Sequence, residues 1–269
     1  MNYPQAAIAD LGARNTHFRS LVQAVSEGLV KGWRSVHVPG WSPSVASGVL
    51  EDIWDNAGAW IPDPAALVIP ARMKLQSSES ADASGGTGVS EVEIHGLDGD
   101  FAEQKETVAV LGDTPASLTL SYRRFNAMHT MAVGSNFVSE GDIILTDTGA
   151  SIEYIRISAN GNMSLSCHYT IPAGHVGYVV SWAASSATAK SVRFILRATC
   201  DWETRELLDG IYLFQDVIAG TSDSQHVFAN PPQLPALCDV KVSGNPVTGG
   251  DSDATASMQI IHGPAASLR

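Results

Sequence analysis

From residue 65 onward, apolar and polar residues alternate in short runs, which is the pattern of half-buried β-strands. The alternation, with a period of two residues, is clear in the run 191–199. Its apolar face carries Val192, Phe194 and Leu196, and its opposite face carries Arg193, Ile195 and Arg197. This run is therefore predicted to be a strand with one face toward a core.

The run 89–97 follows the same period with more polar residues. Val92 and Ile94 share one face, and the opposite face carries Val89, Glu91, Glu93 and His95. The alternation predicts a strand that covers the core on one side and meets solvent on the other.

Short runs of this kind recur along the chain, separated by turn signals. The turns include Asp98-Gly99-Asp100, Pro172-Ala173-Gly174 and Asn160-Gly161, of which the last is a strong hairpin signal. No alternation of strands with helices is present, so an all-β antiparallel sandwich or jelly roll is predicted. Residues 65–160 and 161–269 form either two sandwiches or two halves of one. The predicted strands are 67–77, 89–97, 105–111, 117–133, 141–146, 152–158, 163–171, 176–185, 191–200, 226–229, 237–243 and 256–262.

Residues 1–64 differ from the β-rich region 65–269 and are predicted to form an extended N-terminal arm. A helical face is visible in 16–31, with Thr16 as a candidate N-cap and Gly32 as a candidate C-cap. Its apolar residues are Phe18, Leu21, Val22, Val25 and Leu29. The rest of the arm is rich in proline and aromatic residues and is predicted to be irregular, lying along its own domain or along a neighbour.

The arm contains four of the six tryptophans, which are Trp33, Trp41, Trp54 and Trp60. Tryptophan is enriched at the energetic centres of protein interfaces, so these side chains are candidate anchors on a neighbouring subunit. The alternative is that they cover one end of the sandwich within their own chain. A second candidate interface comprises Tyr122, Arg123 and Arg124, which form either part of a central strand or a contact with an acidic neighbour.

Composition narrows the classes of partner. The net charge is −12 and only 16 residues are Lys or Arg, without a dense basic cluster, so direct binding to nucleic acid is not expected. No apolar run is long enough to span a membrane, and the N-terminus lacks the features of a signal peptide. The three cysteines, at wide spacing, predict small buried side chains rather than a disulfide framework or a zinc site.

Candidate catalytic and metal-binding groups are sparse. The acidic groups are Glu51, Asp52 and Asp55, then Asp201, Glu203 and Glu206, then Asp251 and Asp253. A glycosidase would use two such carboxylates across a cleft, and Ca²⁺ would use several oxygens. Solvated loops explain these groups more simply. The eight histidines are scattered without a catalytic motif. We therefore expect no enzyme activity, no cofactor and no metal site.

Three stretches resemble a family of virion structural proteins from tailed phages of aquatic bacteria. They are EDIWDNAGAWIPDP (51–64), SSESADASGGTGVSEVEIHGLDGDFAEQKETVAVLGDTP (77–115) and YTIPAGHVGYVVSWAASSATAKSVRFILRA (169–198). Phe101 stands where the family usually has Tyr, and residues after about 200 match less well. The family carries no catalytic residues to transfer to this chain.

The resemblance implies a virion protein, and the lack of a signal peptide or membrane span predicts that it is made in the host cytoplasm. Its expected place is the capsid exterior, as a homotrimeric cement or decoration protein that binds the major capsid protein, with the arm crossing a seam between subunits. The alternative is an adaptor or host-recognition protein at the tail or fibre base. A polysaccharide hydrolase is a more remote alternative, because no motif supports it.

Overall fold

The computed structural model describes nine ranges of the chain. Within 211–218 only the backbone is described. The ranges are 21–58, 60, 73–147, 149, 152–186, 191–200, 211–218, 223–247 and 250–265.

One short helix and a series of antiparallel strands make up these ranges. The helix is α1 (Leu21–Ser26). The strands are β1 (Arg34–Val45), β2 (Glu51–Asp52), β3 (Met73–Ser77), β4 (Val89–Leu97), β5 (Glu103–Ala109), β6 (Ala116–Ser117), β7 (Arg124–Val133), β8 (Ile143–Asp147), β9 (Glu153–Ile157), β10 (His168–Thr170), β11 (His175–Ser186), β12 (Val192–Thr199), β13 (Ile211–Ile218), β14 (Asp223–Val227), β15 (Gln233–Leu234), β16 (Asp239–Pro246) and β17 (Ser252–Pro264).

The strands form four sheets that enclose two hydrophobic cores. One core lies between the sheet β6-β3-β8-β9 and the sheet β5-β4-β7. The other lies between β1-β17-β11-β14, with β15 beside β11, and β10-β16-β12-β13, with β2 beside β16. We call these the first and the second sandwich. The prediction of an all-β antiparallel sandwich fold is confirmed.

The period-two pattern of residues 191–199 is confirmed, because Val192, Phe194 and Leu196 are all in the second core. The pattern of 89–97 needs one correction. Val89 was expected opposite Val92 but is buried in the first core with it. The pairing of β4 with β7 shifts register on both sides of Glu91, and an extra residue in one strand reverses the face on which the following residues fall.

The prediction that the segment after the helix is irregular is wrong for residues 34–45. They form β1, which pairs along most of its length with β17. The prolines Pro39 and Pro43 argued against a strand, yet β1 lies at the edge of its sheet, where missing N–H donors are tolerated. The described arm residues 21–58 therefore pack on the second sandwich rather than extending away from it.

The helix ends earlier than predicted. It ends at Ser26 because Gly28, with φ of 71°, takes the left-handed conformation that closes a helix C-terminus. Leu29 N–H donates to the Ala24 carbonyl across this cap at 2.9 Å. Thr16 lies outside the described residues. The helix packs Val25 against Trp33 on the outer face of the second sandwich.

Asn160-Gly161 forms a tight turn but not the expected hairpin. Asn160 has a positive φ of 64°, as the signal predicted. However, β9 before the turn pairs with β8, whereas the chain after the turn runs beside β7. Thr130 N–H donates to the Asn162 carbonyl at 2.9 Å. The turn thus directs the chain from the first sandwich toward the second.

The expectation that the cysteines are unpaired is wrong for two of the three. Cys200 and Cys238 form a disulfide, with their Cα atoms 4.0 Å apart. They flank the paired positions Thr199 and Asp239 of β12 and β16, so the strand register brings them together. Cys167 is free and buried in the second core.

Reduction is expected to destabilise the second sandwich. The disulfide spans 38 residues, and closing a loop of this length stabilises a fold by about 4 kcal/mol through the entropy of the unfolded chain. Urea unfolding should therefore shift to lower concentration when a reductant is added to the wild type. The paired variant Cys200→Ser/Cys238→Ser should not respond to reductant. Three titratable thiols in the denatured, non-reduced wild type would contradict the pairing.

Candidate functional site

A buried ion pair joins the two sandwiches. Arg124 of β7 donates from Nε and Nη2 to the two carboxylate oxygens of Asp239 on β16, at 3.1 Å each. The side chains are 1% and 8% exposed, so both charges are withdrawn from water. The Thr170 hydroxyl also donates to Asp239, and Arg124 Nη1 donates to the Arg123 carbonyl at 3.0 Å. These bonds satisfy groups whose burial would otherwise be costly.

The turn between β4 and β5 covers this ion pair. Asp98 accepts the backbone N–H groups of Asp100 and Ala102, both at 2.9 Å, which holds the turn closed. Phe101 has a positive φ of 60°, and its side chain is buried. The guanidinium carbons of Arg123 and Arg124 lie 4.7 Å and 5.2 Å from its ring centroid. A cation facing an aromatic ring is stabilised by the ring's charge distribution.

Polar contacts continue the junction along β7 and β10. Asn126 accepts the Thr170 N–H at 2.9 Å and donates to the Thr170 carbonyl at 3.2 Å. The Asn126 side-chain amide thus forms the two hydrogen bonds with the Thr170 backbone that a neighbouring strand would otherwise form. His168 Nε2 lies 3.0 Å from the Phe125 carbonyl. Burial lowers the pKa of His168 to about 3, so the ring is neutral and donates this hydrogen bond from Nε2.

Asp52 is the centre of a second charged network, within the second sandwich. Lys241 and Arg197 each lie 2.7 Å from its carboxylate, and the Ser243 hydroxyl donates to it at 2.6 Å. Burial alone would raise the pKa of Asp52, but the two cations lower it overall. The Trp60 N–H also donates to Asp52, at 2.8 Å. The carboxylate considered as a calcium ligand is therefore already matched by protein cations.

Asp55 lies nearby without a comparable cation. Its Oδ2 accepts the Ser158 hydroxyl at 3.4 Å. Burial raises its pKa to about 7. A carboxyl group that titrates near neutrality can signal a catalytic acid, but Asp55 sits in the contact between the sandwiches beside β9.

The predicted tryptophan anchors contact their own chain. Trp33, Trp54 and Trp60 are buried, while Trp41 is half-buried. Trp33 stacks on Tyr178 with ring centroids 6.1 Å apart, and Trp60 stacks on His168 at 3.7 Å. Little of the three buried rings is left to contact another subunit. Their role as intermolecular anchors stays a prediction.

The second predicted interface is also placed within the chain. Tyr122 is fully buried in the first core, and desolvation raises the pKa of its hydroxyl. Arg123 is partly exposed and donates from Nη1 to the Gly99 carbonyl at 3.3 Å. The acidic partner that Arg124 finds is Asp239 of its own chain. Contact of these residues with another protein stays a prediction.

The remaining acidic candidates do not converge in the described ranges. Asp251 accepts the Ser47 N–H at 3.1 Å, and Asp253 accepts the Trp41 indole N–H at 2.7 Å. Both carboxylates thus hold β17 to the chain around β1. Asp201, Glu203 and Glu206 lie outside the described residues.

One cluster was missed by the sequence reasoning. Glu93, His95 and His129 meet on the outer face of β4 and β7, with their ligand atoms within 4.8 Å of one another. The alternation in 89–97 already placed Glu93 and His95 on one face. His129 could not be added, because its position opposite Glu93 depends on strand pairing.

The described part of the chain contains no helix that is long and apolar enough to cross a membrane.

Comparisons with known proteins return only distant likenesses. No protein-family model and no curated protein matches the chain. Among solved structures, a chain from the structure of the Gx strain of infectious bursal disease virus aligns with this one. The alignment covers 95% of this chain and 80% of that chain, at 10% identity and a TM-score of 0.22. The Gt strain aligns over 89% and 75%, at 13% identity and a TM-score of 0.16. TM-scores this low do not indicate a common fold.

The junction ion pair is expected to dominate the coupling of the two sandwiches. Substituting Arg124→Met leaves the Asp239 carboxylate buried without its cation, which should lower the free energy of unfolding by about 4 kcal/mol. Arg123→Met is the matched control and should cost about 1 kcal/mol, because its guanidinium is partly exposed. Both values come from urea unfolding. Equal losses for the two variants would contradict the assigned importance of the buried pair.

Asp55→Asn is expected to stabilise the protein only when the wild-type carboxyl is ionised. The folded-state pKa of about 7 exceeds the unfolded value, so the stability contributed by protonated Asp55 is present at pH 4 and is lost as the pH rises through 7. At pH 8 the variant should gain about 4 kcal/mol in urea unfolding, and at pH 4 almost nothing. The exposed control Asp113→Asn should show no such dependence; an equal gain at both pH values would contradict the assignment.

Proposed function

We propose that this chain is a non-enzymatic structural protein of a tailed-phage virion. In this proposal it is a cement or decoration protein on the capsid exterior, which forms a homotrimer and bridges neighbouring major capsid proteins. It has no catalytic turnover and stabilises the shell by binding only the assembled state. Its synthesis in the host cytoplasm precedes assembly onto the particle.

The proposal rests on one observation: the three family-like stretches contact one another in the folded chain. Asp52 of the first stretch accepts a charged hydrogen bond from Arg197 of the third, at 2.7 Å. The Phe101 carbonyl of the second stretch accepts the N–H of Ala173 in the third, at 2.9 Å. Residues of the three stretches are therefore among those that connect the parts of this fold. This supports a family likeness that extends to the architecture, beyond short local matches.

The second stretch also contains a scaffold centred on Asp82. This buried carboxylate accepts the Ser77 hydroxyl at 2.6 Å, and the N–H groups of Val89, Glu140 and Gly141 at 2.8, 3.0 and 2.9 Å. Only glycine fits at position 88, because a Cβ there would lie 2.0 Å from the Asp82 carboxylate. The stretch thus organises several loops at one end of the first sandwich, which is a structural use of its residues.

The surface offers apolar contacts suited to assembly. Phe137 and Val227 are each 72% exposed, and Met131 is 52% exposed on the outer face of β7. Only 16% of all residues are charged, so polar surface that would oppose association is limited. These features favour extended contact with other proteins.

Purified particles test the proposal directly. The copy number of this chain should be measured by quantitative mass spectrometry and normalised to the major capsid protein. Hundreds of copies, in proportion to the capsid lattice, are expected for a cement or decoration protein. About a dozen copies would contradict the cement or decoration role and favour the tail or fibre-base adaptor instead. Absence from the particle would overturn both assignments and make the hydrolase alternative the next to test, on purified bacterial polysaccharide.

A further inference from the structure

The Glu93, His95 and His129 cluster, which we call the triad, has a geometry set by the sheet. Glu93 and His95 are two residues apart on β4, so their side chains leave the same face. His129 of β7 is the direct cross-strand partner of Glu93. Cross-strand neighbours on one face have their Cβ atoms about 5 Å apart, which is close enough for side chains to share a ligand. A paired sheet therefore holds the three groups in position.

The donor atoms point at one another. Glu93 Oε1 lies 2.7 Å from His95 Nε2 and 3.5 Å from His129 Nε2. Ligand atoms around a tetrahedral Zn²⁺ ion lie about 3.3 Å apart, given metal–ligand bonds of about 2.0–2.1 Å. All three ligand atoms lie within 4.8 Å of one another, so side-chain rotation can bring them to that spacing.

The surroundings leave room for an ion and for a further ligand. His95 and His129 are 39% and 37% exposed, whereas Glu93 is only 12% exposed. His95 lines a cleft of about 440 Å³ between the first sandwich and β1. The ion pair of Arg34 with Glu103 joins the two sandwiches beside this cleft.

Lys105 is the one described cation bonded to the triad. Its Nζ lies 3.0 Å from Glu93 Oε2, on the oxygen that does not face the histidines. A hydrogen bond to the second carboxylate oxygen orients the first toward a metal, as supporting groups do around known metal ligands. The Lys105 side chain is 64% exposed, so its charge is screened by water and can move away.

We propose that Glu93, His95 and His129 bind one divalent cation of the zinc class at the rim of the cleft between the two sandwiches. Two imidazoles and one carboxylate suit Zn²⁺ and similar transition-metal ions, whereas Mg²⁺ and Ca²⁺ take oxygen ligands. Three protein ligands leave a coordination position for water or for a side chain of a bound partner. The site does not depend on the virion proposal.

Calorimetric titration of the full chain tests the site. The experiment uses untagged protein that has been freed of metal with EDTA. No reductant is added, so that Cys200 and Cys238 stay paired. Zn²⁺ should bind with one equivalent per chain and micromolar or tighter affinity, and Mg²⁺ should not compete. His95→Ala and His129→Ala should each weaken binding by at least about tenfold. Co²⁺ should give a visible absorption band that His129→Ala abolishes.

His37→Ala is the matched control, because His37 is an exposed histidine of the same cleft but lies outside the triad. It should bind Zn²⁺ like the wild type. Metal-free unfolding curves establish that each variant is folded. The proposal is overturned if the wild type binds no stoichiometric Zn²⁺, if His129→Ala binds as tightly as the wild type, or if His37→Ala loses as much affinity as His129→Ala.

Discussion

The buried ion pair of Arg124 with Asp239 is the constraint on which the arrangement of the two sandwiches depends. Removing two charges from water costs several kcal/mol per ion, and the cost is recovered only when every polar atom finds a partner. Here the partners come from β7, β10, β16 and the turn before β5. All of these elements must be in place together, so the pair favours the relative placement of the sandwiches in which they meet.

The edges of β7 and β1 are protected from pairing with strands of other chains. An unpaired strand edge invites association with other chains. The edge of β7 is covered by residues 162–164 through backbone bonds of Thr130 and Ser164, and the Asn126 amide continues the contact to β10. β1, at the edge of its own sheet, carries two prolines. The backbone at these two edges is therefore less open to pairing with a strand of another chain.

The outer face of the β5-β4-β7 sheet explains why the proposed metal ligands stand together. A sheet paired on one face to a core leaves its other face free, and residues two apart on that face stand side by side. On β4 that free face holds Glu93 and His95 near the cleft between the sandwiches. A metal bound there would stabilise the native pairing of β4 with β7 by mass action.

Sequence patterning by itself determined the all-β class and most strand positions, because period-two alternation and turn residues act locally. It also placed Glu93 and His95 on one face. Only the tertiary structure decided the strand β1, the Cys200–Cys238 pairing, the Arg124–Asp239 ion pair and the addition of His129 to the triad. Each of these joins residues far apart in the chain, and their partners are selected by strand register and packing. Local hydrophobic patterning carries no information about which distant strand will lie alongside.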